Sequence, residues 1–160
     1  MMDLTLKTEK GCFNHRVAAV IIDNNRLLAQ KNTDTNEYYL VGGRVAFGES
    51  TDEALIREIK EELKISITDY KPLWINECFF IDNGQKFHEI GMYYLVNISN
   101  TKFNHYESTF KTKEENRINT YEWLDIEKLD SVVLYPQFIK EEIKNPNKAL
   151  KLIITKEAVL

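Results

Sequence analysis

Cysteine, histidine, proline and glycine are all scarce in this chain of 160 residues, at two, three, three and six copies. Cys12 and Cys78 stand far apart with no Cys-x-x-Cys or Cys/His spacing, so neither a disulfide framework nor a zinc site is encoded. A reducing, cytoplasmic setting is expected. No proline-rich or low-complexity stretch and no long-period repeat divides the sequence, so a single domain over residues 1–160 is expected, long enough to bury a core without cross-links. The longest apolar run, residues 17–22, is far short of a membrane span. Residues 1–10 mix acids and bases without the apolar stretch of a secretory signal, and no membrane association is expected.

Excess charge is also scarce, and it is concentrated. The net charge is −4, from 25 acids and 21 bases. Between positions 49 and 62 stand Glu49, Asp52, Glu53, Glu58, Glu61 and Glu62 against only Arg57 and Lys60, and the rest of the chain balances. Such a distribution argues against a general nucleic-acid-binding surface and for a local cation site. Three of the six glycines, Gly42, Gly43 and Gly48, lie directly upstream of this acidic stretch.

Alternation and turn residues predict strands at residues 16–23 and 26–31, joined through Asp23-Asn24-Asn25. A loop follows at 32–37, then a short strand at 38–41 broken by Gly42-Gly43. Residues 73–81 and 87–98, rich in aromatic and β-branched side chains, predict a long hairpin through Asp82-Asn83-Gly84-Gln85. Residues 99–118 show no period and read as an irregular, functional or disordered segment. A strand at 120–124, a helix at 136–144 opened by proline and a closing strand at 150–155 complete the reading.

The clearest helix spans 50–63, with Ser50 and Glu53 spaced as a capping box and Leu55, Ile56, Ile59 and Leu63 on one side. At about 100° per residue, Glu58, Glu61 and Glu62 share an arc of about 100° bordering that apolar side. Glu53, Lys60 and Lys64 fall on the solvated remainder. Like charges three or four residues apart oppose a helix by roughly 0.2–0.5 kcal/mol per pair, and acids near its C-terminus by about 0.3–1 kcal/mol each. A divalent cation reverses both signs. Oxygen donors alone favour a hard ion, Mg²⁺ or Mn²⁺, and hence phosphoryl chemistry. A solvated acidic face is the plain alternative, and the adjacent glycine turn, which lets backbone amides approach an anion, weighs against it.

Gly43, Glu49, Arg57-Glu58-Ile59, Glu61-Glu62 and Ile65 reproduce the spacing G-x5-E-x7-R-E-U-x-E-E-x-G-U, where U is a bulky aliphatic. On these residues the sequence resembles the Nudix hydrolases. Two positions depart from the pattern. Lys64 replaces a glycine expected in a left-handed conformation, at a cost of about 1 kcal/mol. Val41 stands where many relatives carry proline.

The resemblance implies an α/β fold, an α/β/α sandwich around a mixed sheet, and a Mg²⁺-dependent pyrophosphohydrolase, with Mn²⁺ as a substitute ion. The substrate would be a nucleoside diphosphate linked to another moiety, of the nucleoside triphosphate or nucleotide-sugar type. It further implies Glu58, Glu61 and Glu62 as metal ligands, with Glu58 also a candidate base, Arg57 orienting a carboxylate and Glu49 bracing the loop. Relatives recruit a distant acid as base, for which Glu107, Glu114 and Glu115 are candidates. Arg44 with Gly42 and Gly43 is the candidate phosphate-contacting segment, and Tyr38, Tyr39, Phe47, Trp74 and Phe79 are candidates to stack a nucleobase. His15, His88 and His105 read as structural or solvent-facing. The expected partner is a small nucleotide rather than a nucleic acid polymer, and the resemblance admits a homodimer. Two rival readings are a non-catalytic Nudix-like nucleotide sensor and a cation-stabilised structural domain.

Overall fold

The computed structural model describes residues 2–146 and 149–157. Its strands run β1 Thr5–Thr8, β2 Gly11–Val20, β3 Ile22–Asp23, β4 Arg26–Asn32, β5 Glu37–Tyr39 and β6 Val41–Arg44, followed by helix α1, Thr51–Leu63. Then come β7 Tyr70–Asp82, β8 Gln85–Val96, β9 Thr109–Glu114, β10 Arg117–Asp125, a 3₁₀ turn Ile126–Ser131, β11 Val133–Tyr135, the short α2 Ile139–Glu142 and β12 Lys151–Lys156.

Two mixed sheets result. The first has the order β1-β2-β8-β7-β12, with β6 also on β2, and the second β11-β5-β4-β10-β9, with β3 on β4. Pairs β2–β8, β7–β12 and β5–β11 are parallel and the others antiparallel. Alternation along the strands sorts apolar side chains onto two faces. Val17, Ala19, Leu28, Tyr94, Tyr121 and Trp123 pack under α1, whereas Val20, Leu27, Ala29, Tyr93 and Leu124 pack against Leu129 of the 3₁₀ turn and Ile139 and Ile143 around α2. Helical elements thus cover both faces of the strand layer, which is the α/β sandwich expected.

Helix α1 begins at a complete capping box: the Ser50 hydroxyl accepts from Glu53 N, and the Glu53 carboxylate accepts from Ser50 N at 2.8 Å. It buries Ala54, Leu55, Ile59 and Leu63. Burial of an aliphatic side chain contributes about 1.5–3 kcal/mol, so this face outweighs the repulsion among the acids and the helix forms despite them. It stops at Lys64, held left-handed at φ 61° and ψ 26°, with Lys64 Nζ donating to Glu61 O at 2.7 Å.

Four segments differ from expectation. Gly42-Gly43 continue as β6 rather than breaking a strand, because β2 pairs with them across Ala18 and Val17. Residues 99–118 are not irregular throughout: β9 and the start of β10 lie there, hidden because exposed Ile118 and buried Asn119 invert the usual pattern. The helix over 136–144 reduces to one turn, since Phe138 at its start offers no capping side chain and the 139, 140 and 141 amides bond three residues back. Strand β1, absent from the sequence reading, zips onto β2 from Thr5 to Thr8.

Relief of the left-handed side chain gives a direct check: Lys64→Gly raises stability by about 1 kcal/mol in urea denaturation, and an unchanged or lowered midpoint contradicts the strain.

Candidate active site

The site forms where α1 crosses β6. A Cβ on Gly43 would lie 2.3–2.5 Å from the carboxyl atoms of Glu58, and one on Gly42, at φ 148°, would lie 2.2 Å from Val17 O. Only glycines allow β6 to pair with β2 on one side while the Glu58 carboxylate rests on the other.

Arg57 gathers the cluster. Its Nε and Nη2 donate to the two Glu49 oxygens at 2.7 and 2.9 Å, a bidentate pair; Nη1 donates to Glu58 at 2.7 Å and to Glu61 at 3.3 Å, and Nη2 also to Arg44 O at 3.0 Å. Glu49 in turn accepts from Ala46 N at 2.9 Å, tying the β6–α1 loop to the helix. Hydrogen bonding from Arg57 holds the Glu49 carboxyl below its ordinary range. Glu58 is shifted upward, chiefly by burial and further by the charges of Glu61 and Glu114, against the opposing pull of Arg57.

Glu62 lies deeper than its helical arc suggests. It is 5% exposed; its carboxylate accepts from the Tyr121 hydroxyl at 2.8 Å and from Gly42 N at 3.3 Å. Burial pushes its pKa up to about 7, with Glu58 and Glu114 adding to the rise. Thr112 on β9 donates to Glu62 O at 2.6 Å, which fastens the β9–β10 hairpin to the end of α1. Glu114, at the end of β9, accepts from buried Asn119 at 2.9 Å, and its charge acts on both Glu58 and Glu62.

The sequence candidates therefore separate. Glu49, Arg57, Glu58, Glu61 and Glu62 are brought together, and of the three distant acids only Glu114 joins them. Glu107 pairs with His105 at 3.2 Å, and Glu115 is exposed in the turn after β9. Arg44 offers its carbonyl to Arg57 while its guanidinium faces Asp3 at 3.6 Å. The Gly42 amide is committed to Glu62 rather than free for an anion. Tyr38 and Trp74 are core residues, Phe79 stacks on His88 at 4.4 Å, and Tyr39 and Phe47 remain exposed. His15 bonds Ile90 O, and His88 bonds Glu77, as expected of structural histidines. Sequence reasoning missed Thr112, Asn119 and Tyr121; for the last two the available signal was their alternation with Trp123 along β10.

Among the described residues no three acidic, histidine or cysteine side chains converge on one point that could hold an ion. Instead, Arg57 Nη1 stands between Glu58 and Glu61 as the positive charge those oxygens face. The donor set nonetheless suits a hard divalent ion: it is all oxygen, the charge of Glu61 raises the pKa of Glu58 and that of Glu58 the pKa of Glu62, and Gly43 leaves room for the Glu58 carboxylate.

The family model of the NUDIX domain matches residues 13–144. The chain belongs to the Nudix family. Two curated relatives from Saccharomyces cerevisiae, an mRNA-decapping enzyme subunit 2 and an m7GpppN-mRNA hydrolase, are each 28% identical over 131 residues. That match covers 81% of this chain but only 12% of each relative's length. A MutT protein from Bacillus halodurans superposes with a TM-score of 0.65 at 16% identity, covering 91% of this chain and 89% of that one. A MutT Nudix hydrolase from Burkholderia pseudomallei gives 0.58 at 23% identity, covering 81% and 96%. An ADP-ribose pyrophosphatase from Streptococcus suis gives 0.54 at 12%, covering 87% and 98%. Among the described residues no helix is long and apolar enough to cross a membrane.

The raised Glu62 pKa has a measurable consequence in metal-free protein. Folded Glu62 holds its proton up to about pH 7, whereas its ordinary value is 4.5. Its contribution to stability is thus complete below about pH 4.5 and is lost as pH rises through about 7, by about 3 kcal/mol in all. Urea denaturation in EDTA between those limits should show the decline, and Glu62→Gln should flatten it; equal slopes for both proteins contradict the burial of an ionisable group here.

Proposed function

We propose that this chain is a Mg²⁺- or Mn²⁺-dependent pyrophosphohydrolase, a single Nudix domain acting on a nucleoside diphosphate linked to another moiety, such as a nucleoside triphosphate or a nucleotide sugar. The observation that carries this reading is the pair Glu58 and Glu61 gathered beside Gly43 by Arg57, with Glu62 one turn beyond Glu58 and its carboxylate held by Tyr121 and the Gly42 amide. Those three carboxylates would hold the cation, which would lower the pKa of an attacking water and offset the charge of the pyrophosphate.

The residues of the chain do the rest. Arg57 fixes the rotamers of Glu58 and Glu61 and, through Glu49, the loop that leads from β6 into α1. Glu114, oriented by Asn119 and lying within the electrostatic reach of Glu58 and Glu62, is the best placed acid to take the proton of the water. Exposed Phe47 and Tyr39 are the aromatic faces left for a base. A small nucleotide fits the acidic balance of the chain better than a polymer, and a cytoplasmic setting goes with that substrate and with two unpaired, buried cysteines. The decapping relatives make a capped dinucleotide a necessary member of any substrate panel.

With nucleoside triphosphates, nucleotide sugars, ADP-ribose and a capped dinucleotide as substrates and Mg²⁺ or Mn²⁺ present, the wild type should release a mononucleotide from at least one. Glu61→Gln with Glu62→Gln should lower kcat about 10³-fold and Glu114→Gln about 10²-fold. If the wild type binds nucleotide and cleaves none of them, the sensor reading replaces this one. Gly43→Ala, which drives a methyl into the Glu58 carboxylate, should cost about 10²-fold in kcat while circular dichroism stays native; full activity would show that the contact is dispensable.

A further inference from the structure

Tyr121 is fully buried on β10, and its ring stacks on Phe110 at 5.2 Å within the apolar cluster beneath α1. A phenylalanine would fill that volume equally well. The tyrosine instead carries a hydroxyl into an apolar interior, and the hydroxyl donates to Glu62 Oε2 at 2.8 Å. Placing a hydroxyl and a carboxylate together in a core does not by itself favour stability, because desolvating both offsets what their bond returns. The arrangement does fix direction. Glu62 Oε2 is held by Tyr121 from the second sheet, Oε1 by the Gly42 amide from the first, and the Glu62 carbonyl by Thr112 on β9. The Glu62 side chain is thereby pinned from two strands and its backbone from a third, whereas the side chain of Glu61, one residue earlier, is exposed and bonds Arg57 at 3.3 Å.

We infer that Tyr121 is a positioning residue for the cation site: its hydroxyl sets the orientation in which the Glu62 carboxylate meets the divalent ion. The inference rests on the hydrolase reading above and deepens it, by moving part of the determinant of metal affinity from the acidic helix to a strand of the opposite sheet. Groups that orient ligands from behind typically change metal affinity 10- to 100-fold when removed.

The test is Mn²⁺ binding to the whole chain without nucleotide, read by electron paramagnetic resonance, for wild type, Tyr121→Phe, Glu62→Gln and the double variant. Tyr121→Phe should raise the Kd for Mn²⁺ about tenfold, and the double variant should bind no more weakly than Glu62→Gln alone, since on this inference the hydroxyl acts on the ion through that carboxylate. Phe110→Leu, which disturbs the same stack but not the hydrogen bond, should leave Kd within about twofold of wild type and separates positioning from general loosening of the core. A Tyr121→Phe Kd equal to wild type, or a loss that adds fully to that of Glu62→Gln, overturns the inference while leaving the hydrolase reading intact. Failure of the wild type itself to bind Mn²⁺ overturns both.

Discussion

A single guanidinium organises this molecule's acidic end. Arg57 has five donors in a rigid fork, and the structure commits them to Glu49, Glu58, Glu61 and the carbonyl of Arg44. A lysine, with one compact charge on a flexible stem, could not satisfy these directions at once. Because the partners come from β6, from the loop after it and from two turns of α1, the same side chain that lessens the repulsion among the acids also fixes strand, loop and helix relative to one another. Its own pKa is raised further by Glu49, so it stays charged under all ordinary conditions.

The apolar layers make this arrangement affordable. Leu55, Ile59 and Leu63 seat α1 on the first sheet, and the β9–β10 hairpin of the second sheet closes over the other side of the helix. Glycines at 42 and 43 let backbone and carboxylate approach where any side chain would intervene. The site is therefore a property of the junction between the two sheets, with carboxylates of graded exposure: Glu61 open, Glu58 half-buried, Glu62 enclosed. The enclosure of Glu62 is what drives its pKa up to about 7.

Much of this was legible in the residue order because it is local. The capping box at Ser50, the carboxylate arc on α1, the left-handed turn at Lys64 and the 82–85 hairpin each depend on neighbours within a few positions. What escaped depends on distant contacts. Nothing near Arg44 in sequence reveals that its guanidinium turns to Asp3, because the bridge between Asp3 and Ala46 that brings the N-terminus there is long-range. Strand β9 was hidden because an edge strand with one apolar inward residue, Phe110, has too little contrast to show a period. Choosing Glu114 over Glu107 and Glu115 likewise needed the register of β9 on β10, which sets Asn119 within reach of the first alone.

On the hydrolase reading, the α1 carboxylates answer to a divalent cation rather than to Arg57 alone. Anomalous scattering from crystals soaked in Mn²⁺ tests it most directly. A peak about 2 Å from oxygens of at least two of Glu58, Glu61 and Glu62 is expected. Well-ordered carboxylates still bonded only to Arg57, Tyr121 and the Gly42 amide, with no anomalous density beside them at saturating Mn²⁺ and nucleotide, would contradict it.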